Sequence, residues 1–380
     1  MLKRLFGRTY RTLNTISVGA NDLRDNLNLY RRLFPGKEVC PVLKSNAYGH
    51  GLLGVANLLE SEKCPFFAVD SLFEAYALYK EDIRTPLLIL GFTLPENIDG
   101  RNLPFHFAVS DMETARAFAN KKAPVHIKVD TGMNRMGFPA KDIGEAVKEF
   151  RKLDLNIVGV MTHVADPDNA DDSSYTKMQL EKFRDAVTCV RAAGWSPRWI
   201  HAGQSGGALK QAHYEDIVPE INMIRLGLGL YGMNPLSAGD PDFTKLLNLK
   251  PAMEVRSTLV GIRTLSAGDR VSYNGTFTAE HDMVIGTVPF GYYEGLPRSL
   301  SNAGIMTVAG VQCPILGRVC MNYTVIDISK VTDPKIGDVV TVYSRDSSAP
   351  NSLIALAEKA GTISYELMVR LSESIRREVV

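Results

Sequence analysis

The run Val42-Leu43-Lys44-Ser45-Asn46-Ala47-Tyr48-Gly49-His50-Gly51 puts a lysine at the end of an apolar stretch, with polar residues and glycines after it. A desolvated lysine amine is neutral at about pH 7 and can form a Schiff base with an aldehyde. A surface lysine is the bland alternative; the position at a strand end and the polar surroundings favour the reactive one. Other apolar runs end in chemistry-bearing residues too: Lys128-Val129-Asp130-Thr131-Gly132-Met133-Asn134-Arg135, then His163, then His201-Ala202-Gly203-Gln204-Ser205-Gly206-Gly207, then Arg225-Leu226-Gly227-Leu228-Gly229. Ser205 offers a hydroxyl, and the glycines on either side of Leu228 and after Ser205 offer unobstructed N–H groups, the donors an anion needs. Each Gly-rich stretch alone reads equally well as an ordinary turn. Both at strand ends, opposite a candidate Schiff-base lysine, make a phosphate-bearing aldehyde the economical cofactor.

The elements that would position these residues can be read from periodicity. Eight short apolar runs recur in the first 232 residues: Val39–Leu43, Phe66–Val69, Pro86–Leu90, His106–Val109, Val125–Val129, Ile157–Thr162, Arg198–His201 and Met223–Leu226. Segments of helical spacing lie between most of them, clearest at Leu52–Leu59, Leu72–Tyr79, Met112–Ala119, Ile143–Phe150 and Met178–Val190. Ser71 with Glu74 reads as a capping box, and Ser110 precedes a helix with Asp111 and Glu113 in its first turn. Eight strands alternating with helices predict an α/β fold, a (β/α)8 TIM-like barrel whose chemistry sits at the carboxyl ends of the strands. An open doubly wound sheet is the competing arrangement, but no GxGxxG opens the first helix.

Past Pro235 to Asp242, which reads as a linker, the runs Glu254–Leu265, Met283–Pro289, Ile305–Val311, Val319–Ile328 and Val339–Tyr343 follow without a long helix until Leu353–Ala360. That texture predicts a mainly antiparallel β domain. The expected division is a barrel over 11–235 and a β-rich domain over 245–380, with residues 1–10 candidates to join the second.

The 380 residues carry a formal net charge of +1, which gives no electrostatic reason to expect nucleic acid or an anionic membrane as partner. No apolar run is long enough to span a bilayer, and the basic start has no apolar core behind it, so a cytoplasmic protein is expected. Five cysteines without CxxC spacing argue against a disulfide framework or a zinc site.

Taken in order, these motifs resemble the alanine racemases, fold-type III pyridoxal 5'-phosphate enzymes, over nearly the full chain. Val271-Ser272-Tyr273, Gly317-Arg318-Val319-Cys320-Met321 and Tyr365-Glu366 extend the match into the second half. The resemblance implies that Lys44 holds the cofactor as a Schiff base, and that Tyr48, Ser205, Gly227, Leu228 and Tyr365 surround its phosphate. It implies that Arg225 faces the pyridine nitrogen with His163 in support, and that Arg135 binds the phenolic oxygen. In a homodimer, Tyr273 and Met321 would reach the partner's site, Met321 near the substrate carboxylate, with Tyr292 narrowing the entrance. Lys128 matches a position that some members carry as a carbamate. Two departures stand out: Gln204 where the family usually has Asn, and Asn322 where it usually has Asp.

Racemisation needs acid/base groups on opposite faces of a planar intermediate. The resemblance gives Lys44 for the D-enantiomer and Tyr273 for the L-enantiomer; a phenol of ordinary pKa, about 10, needs cationic surroundings to act as a base. The implied reaction is interconversion of L- and D-alanine, supplying D-alanine for peptidoglycan. The alternatives are a serine or broad-range racemase, which Asn322 leaves open, and a decarboxylase, which would carry an acidic group in place of Arg225. A non-catalytic cofactor-binding homeostasis protein would resemble only the barrel.

Overall fold

The computed structural model describes residues 10–98, 104–166 and 173–380. Of the stretch 1–10, residues 1–9 lie outside that description. The described chain divides into two compact units: residues 21–47 with 52–250, and residues 10–20 with 48–51 and 251–380.

The first unit holds eight strands where the apolar runs predict them: Glu38–Pro41, Phe67–Val69, Leu87–Ile89, Phe105–Val109, Val125–Asp130, Ile157–Met161, Trp199–His201 and Met223–Leu226. The second to the seventh form one parallel ladder in chain order. Closure comes from the eighth strand, which pairs in parallel with the first, Ile224 opposite Val39. A parallel bridge between Val42 and Ala68 joins the first to the second. The Asn222 N–H to the Ile200 carbonyl (3.0 Å) and the Arg225 N–H to the Gly203 carbonyl (3.2 Å) tie the seventh to the eighth. A closed ring leaves no unpaired edge to aggregate.

The helices between strands include Leu52–Leu59, Leu72–Lys80, Met112–Ala119, Ile143–Lys152 and Ser174–Ala192. At the third of these the cap is Asp111 rather than Ser110, because the Asp111 side chain accepts the Thr114 N–H (2.9 Å). The stretch read as a linker is anchored: Asp240 and Asp242 are buried, and the Lys210 ammonium meets Asp240 at 2.6 Å.

The second unit is a nine-stranded sheet, antiparallel except for one pair. The runs expected from sequence supply most of it, with Glu254–Leu265 split into Met253–Thr258 and Gly261–Leu265. Three strands of this sheet were not foreseen: Thr15–Val18, Val311–Leu316 and Arg376–Val379. Thr15–Val18 pairs antiparallel with Met253–Thr258 and parallel with Arg376–Val379. The last strand is too charged to carry an apolar signal, so only pairing reveals it.

Candidate active site

Lys44 ends its strand in an unusual turn. Ser45, Asn46, Ala47 and Tyr48 all have φ between 52° and 56°, a left-handed turn built from four L-residues. Each such residue costs roughly 1–2 kcal/mol, so the surroundings must hold the turn. Glu74 does so: its carboxylate accepts the Ser45 N–H (2.6 Å), the Asn46 N–H (3.4 Å) and the Asp70 N–H (2.8 Å). The expected capping box is therefore half formed. Ser71 caps the helix, accepting the Glu74 N–H at 3.4 Å, while the Glu74 side chain is spent on the lysine loop. Downstream, Gly49 (φ +81°) admits no side chain, since a Cβ would stand 2.0 Å from the Met368 carbonyl. The Lys44 amine lies 3.9 Å from Asp70.

Arg225 is buried at 2 % exposure. Its Nη1 donates to Nδ1 of His201 (2.7 Å); its Nη2 donates to the carbonyls of Thr162 and Ala202 (2.8 Å each) and lies 3.3 Å from Nδ1 of His163. Among the described residues no carboxylate pairs with it, and its Nε–H has no acceptor. A guanidinium can only donate, so His201 must accept through Nδ1 and carry its proton on Nε2. That proton points to Nδ1 of His126 (2.9 Å), and Nε2 of His126 in turn points to Nδ1 of His106 (3.2 Å). One fixed donor thus orients three imidazoles. Gly159 makes the space: a Cβ there would lie 2.3 Å from Nδ1 of His126.

Burial keeps these imidazoles neutral. Desolvation, then Arg225, drives His163 down to about 3, and desolvation takes His106 to about 4. His126 and His201 are also held well below the ordinary histidine value by burial. Lys128 is lowered to about 8, first by desolvation and then by Arg135, Arg225 and Lys44. Lys44, Lys128, Arg135 and Arg225 therefore share one positive field around a neutral His163, which calls for an anion.

An anion cradle lies on the same barrel unit. The helix Ser205–Ala212 begins at the carboxyl end of the seventh strand, and its first-turn N–H groups have no partners within the helix. The Ser205 hydroxyl accepts the N–H groups of Gly227 (3.1 Å) and Gly229 (3.0 Å), leaving its own proton to donate. Leu228 lies between them. A Cβ on Gly207 would stand 2.6 Å from the Gln204 side-chain oxygen, which is itself buried with no hydrogen-bond partner among the described residues. An unused Nε–H, a half-exposed lysine amine and a donor-rich helix start fit the pyridine nitrogen, aldehyde and phosphate of pyridoxal phosphate.

The remaining candidates belong to the β unit. The rings of Tyr48 and Tyr365 lie 6.1 Å apart. Tyr273, Met321 and Tyr292 are exposed. Ser272 adopts φ 63°, ψ −172°, a region nearly reserved for glycine, and its hydroxyl donates to the Arg318 carbonyl (2.8 Å).

Two family descriptions account for nearly all of the chain: "Alanine racemase, N-terminal domain" over residues 18–235 and "Alanine racemase, C-terminal domain" over 252–379. The chain belongs to the alanine racemase family. The alanine racemase of Geobacter sulfurreducens is 34% identical, over 93% of this chain and 94% of that one. That of Leptospira interrogans is 32% identical, over 96% and 95%. Among solved structures, the alanine racemase of Clostridium difficile 630 superposes with a TM-score of 0.87 at 29% identity, covering 97% and 95%. The alanine racemase of Bacillus anthracis, solved with bound L-Ala-P, gives 0.85 at 27% identity, covering 97% and 95%. The barrel and the antiparallel β domain are thus the architecture of this racemase family. Sequence reasoning missed Glu74 as a loop anchor, His201, His126 and His106 as the chain behind Arg225, and Ser272 as a strained residue. A signal existed for two of the histidines: His106 and His126 are polar positions inside apolar strands.

Proposed function

We propose that this chain is a cytoplasmic, homodimeric racemase that holds pyridoxal phosphate and interconverts L- and D-alanine, supplying D-alanine for peptidoglycan. The observation that carries the reading is Arg225: a buried guanidinium with no carboxylate partner among the described residues, neutral imidazoles about it and one N–H to spare. Family membership and the anion cradle at Ser205 support it.

The cofactor, when bound, supplies the electron sink that lets an amino acid lose its α-proton. Lys44 would hold the aldehyde and, once its amine is freed by substrate, remove the α-proton of D-alanine. Tyr273 of the partner subunit would work on the opposite face and take the proton of L-alanine. Ser205, Gly227 and Leu228 would bind the phosphate, with Tyr48 and Tyr365 assigned to it by the family pattern. Arg135 would bind the phenolic oxygen. Met321 and Tyr292 of the partner would border the substrate.

Arg225 would set how strong that sink becomes: a permanent cation donating to the pyridine nitrogen would oppose protonation there and so disfavour transamination. The neutral imidazoles behind it hold the guanidinium without adding charge. Lys128, lowered to about 8, has an appreciable neutral fraction near physiological pH, the form a carbamate requires.

Deuterium wash-in from D₂O with a panel of amino acids tests the reading. α-Exchange with enantiomer interconversion, fastest for alanine, is expected; CO₂ release, or no exchange at all, would refute it. Borohydride reduction of the loaded protein should place the label on Lys44, and Lys44→Ala should abolish turnover in both directions. Tyr273→Phe should impair L-alanine turnover most.

A further inference from the structure

Asn322 departs from the family pattern, and in isolation it reads as a charge lost beside the substrate entrance. The structure gives it a partner. Its Nδ2 donates to Oε1 of Glu294 at 2.9 Å, and the other oxygen of that carboxylate accepts the Gly291 N–H at 2.8 Å. Glu294 is 8 % exposed. The two loops that carry these residues are laced by backbone bonds: Tyr292 N–H to the Cys320 carbonyl (3.0 Å) and Tyr293 N–H to the Met321 carbonyl (2.9 Å). They approach so closely that a Cβ on Gly291 would stand 2.3 Å from the Cys320 carbonyl oxygen and 2.4 Å from that of Met321. Tyr292 and Met321 therefore move only if this seam opens.

A buried carboxylate needs donors on both oxygens. Asn322 is the donor for one of them. An acidic side chain at 322 would face Glu294 across a hydrogen-bond distance, where two negative charges repel and neither donates. The amide at 322 is thus what Glu294 demands, rather than a bare loss of charge.

We propose that Glu294 and Asn322 act as one positioning unit that sets where Met321 and Tyr292 stand, and through them how tightly the partner's substrate entrance is held. This rests on the reading that Met321 and Tyr292 border that entrance. The polarity of the pair then matters more than the charge at 322 itself.

Three variants separate the possibilities. Asn322→Asp sets carboxylate against carboxylate. Glu294→Gln leaves an amide facing an amide, which Asn322 satisfies by flipping. The double variant restores one carboxylate and one amide in reversed order: the new amide at 294 still accepts from the Gly291 N–H and now donates to the new carboxylate at 322. Asn322→Asp is expected to raise KM for alanine roughly tenfold, the scale of one lost charge-assisted hydrogen bond, with a smaller change in kcat. It should also speed amide hydrogen exchange across residues 291–295 and 320–323. Glu294→Gln alone should stay near the parent, and the double variant should recover both readouts. If Asn322→Asp does not fold, recovery of soluble protein on adding Glu294→Gln reads the same coupling. Parent-like exchange and KM in Asn322→Asp, or a double variant no better than that single, would overturn the proposal. Exchange needs no turnover, so an inactive parent would count against the racemase reading and leave the test of the pair intact.

Discussion

Nη1 of Arg225 lies 2.7 Å from Nδ1 of His201, and that single contact dictates on which nitrogen three successive imidazoles carry their protons. The direction follows from valence: guanidinium donates, so His201 and His126 each receive at Nδ1 and pass the bond on from Nε2, and His106 receives at Nδ1. Such a chain inside a barrel is tolerated because its links are satisfied and uncharged beyond the arginine.

Histidine ¹⁵N spectra check the direction directly. His201 and His126 should each show a protonated Nε2 and a bare Nδ1. Replacing Arg225 with methionine should let the tautomers mix. His201→Phe, which strands a buried charged donor, should cost about 1–3 kcal/mol in urea unfolding and lower kcat.

Acid should unfold the protein through its buried imidazoles. His163 and His106 are held at about 3 and about 4, whereas the unfolded chain takes up their protons near the ordinary value of about 6.5. The unfolded state therefore binds more protons in this window. Stability should be fully present above about pH 6.5 and should fall as pH drops from there toward 4. His106→Phe should flatten that slope in denaturation curves taken across the range.

Glu74 gathers three backbone N–H groups around the strained turn after Lys44. Glu74→Ala should cost about 2–4 kcal/mol, since several donors lose one charged acceptor together. Hydrogen exchange over residues 44–48 should rise in the same variant, and borohydride labelling of Lys44 should slow. Unchanged exchange there would mean the turn is held by something else.

Ser272 stores strain immediately before Tyr273. Ser272→Gly relieves a backbone cost of about 1–3 kcal/mol and gives up a hydrogen bond worth about 0.5–1.5 kcal/mol, so it should be neutral to stabilising. Ser272→Ala keeps the strain and loses the bond, so it should destabilise. Both should slow turnover of L-alanine more than thermal melting would suggest, and the opposite order of melting temperatures would refute the strain.

Sequence alone was enough for the eight-strand rhythm, the change to antiparallel texture past residue 250 and the motif set around Lys44, Lys128, Ser205 and Arg225. Those features are local: periodicity, turn residues and short ordered runs lie along the chain and survive without any fold. What tertiary structure decided is partnership. Glu74 reads locally as a cap, yet its carboxylate serves a loop 29 residues away. Asn322 reads as a missing charge, yet it is the donor for Glu294, 28 residues earlier. His126 reads as an interruption in a strand, yet it bonds His201 across the barrel. A side chain's hydrogen-bond partner is fixed by which surfaces the fold brings within about 3 Å, and no spacing along a chain encodes that distance.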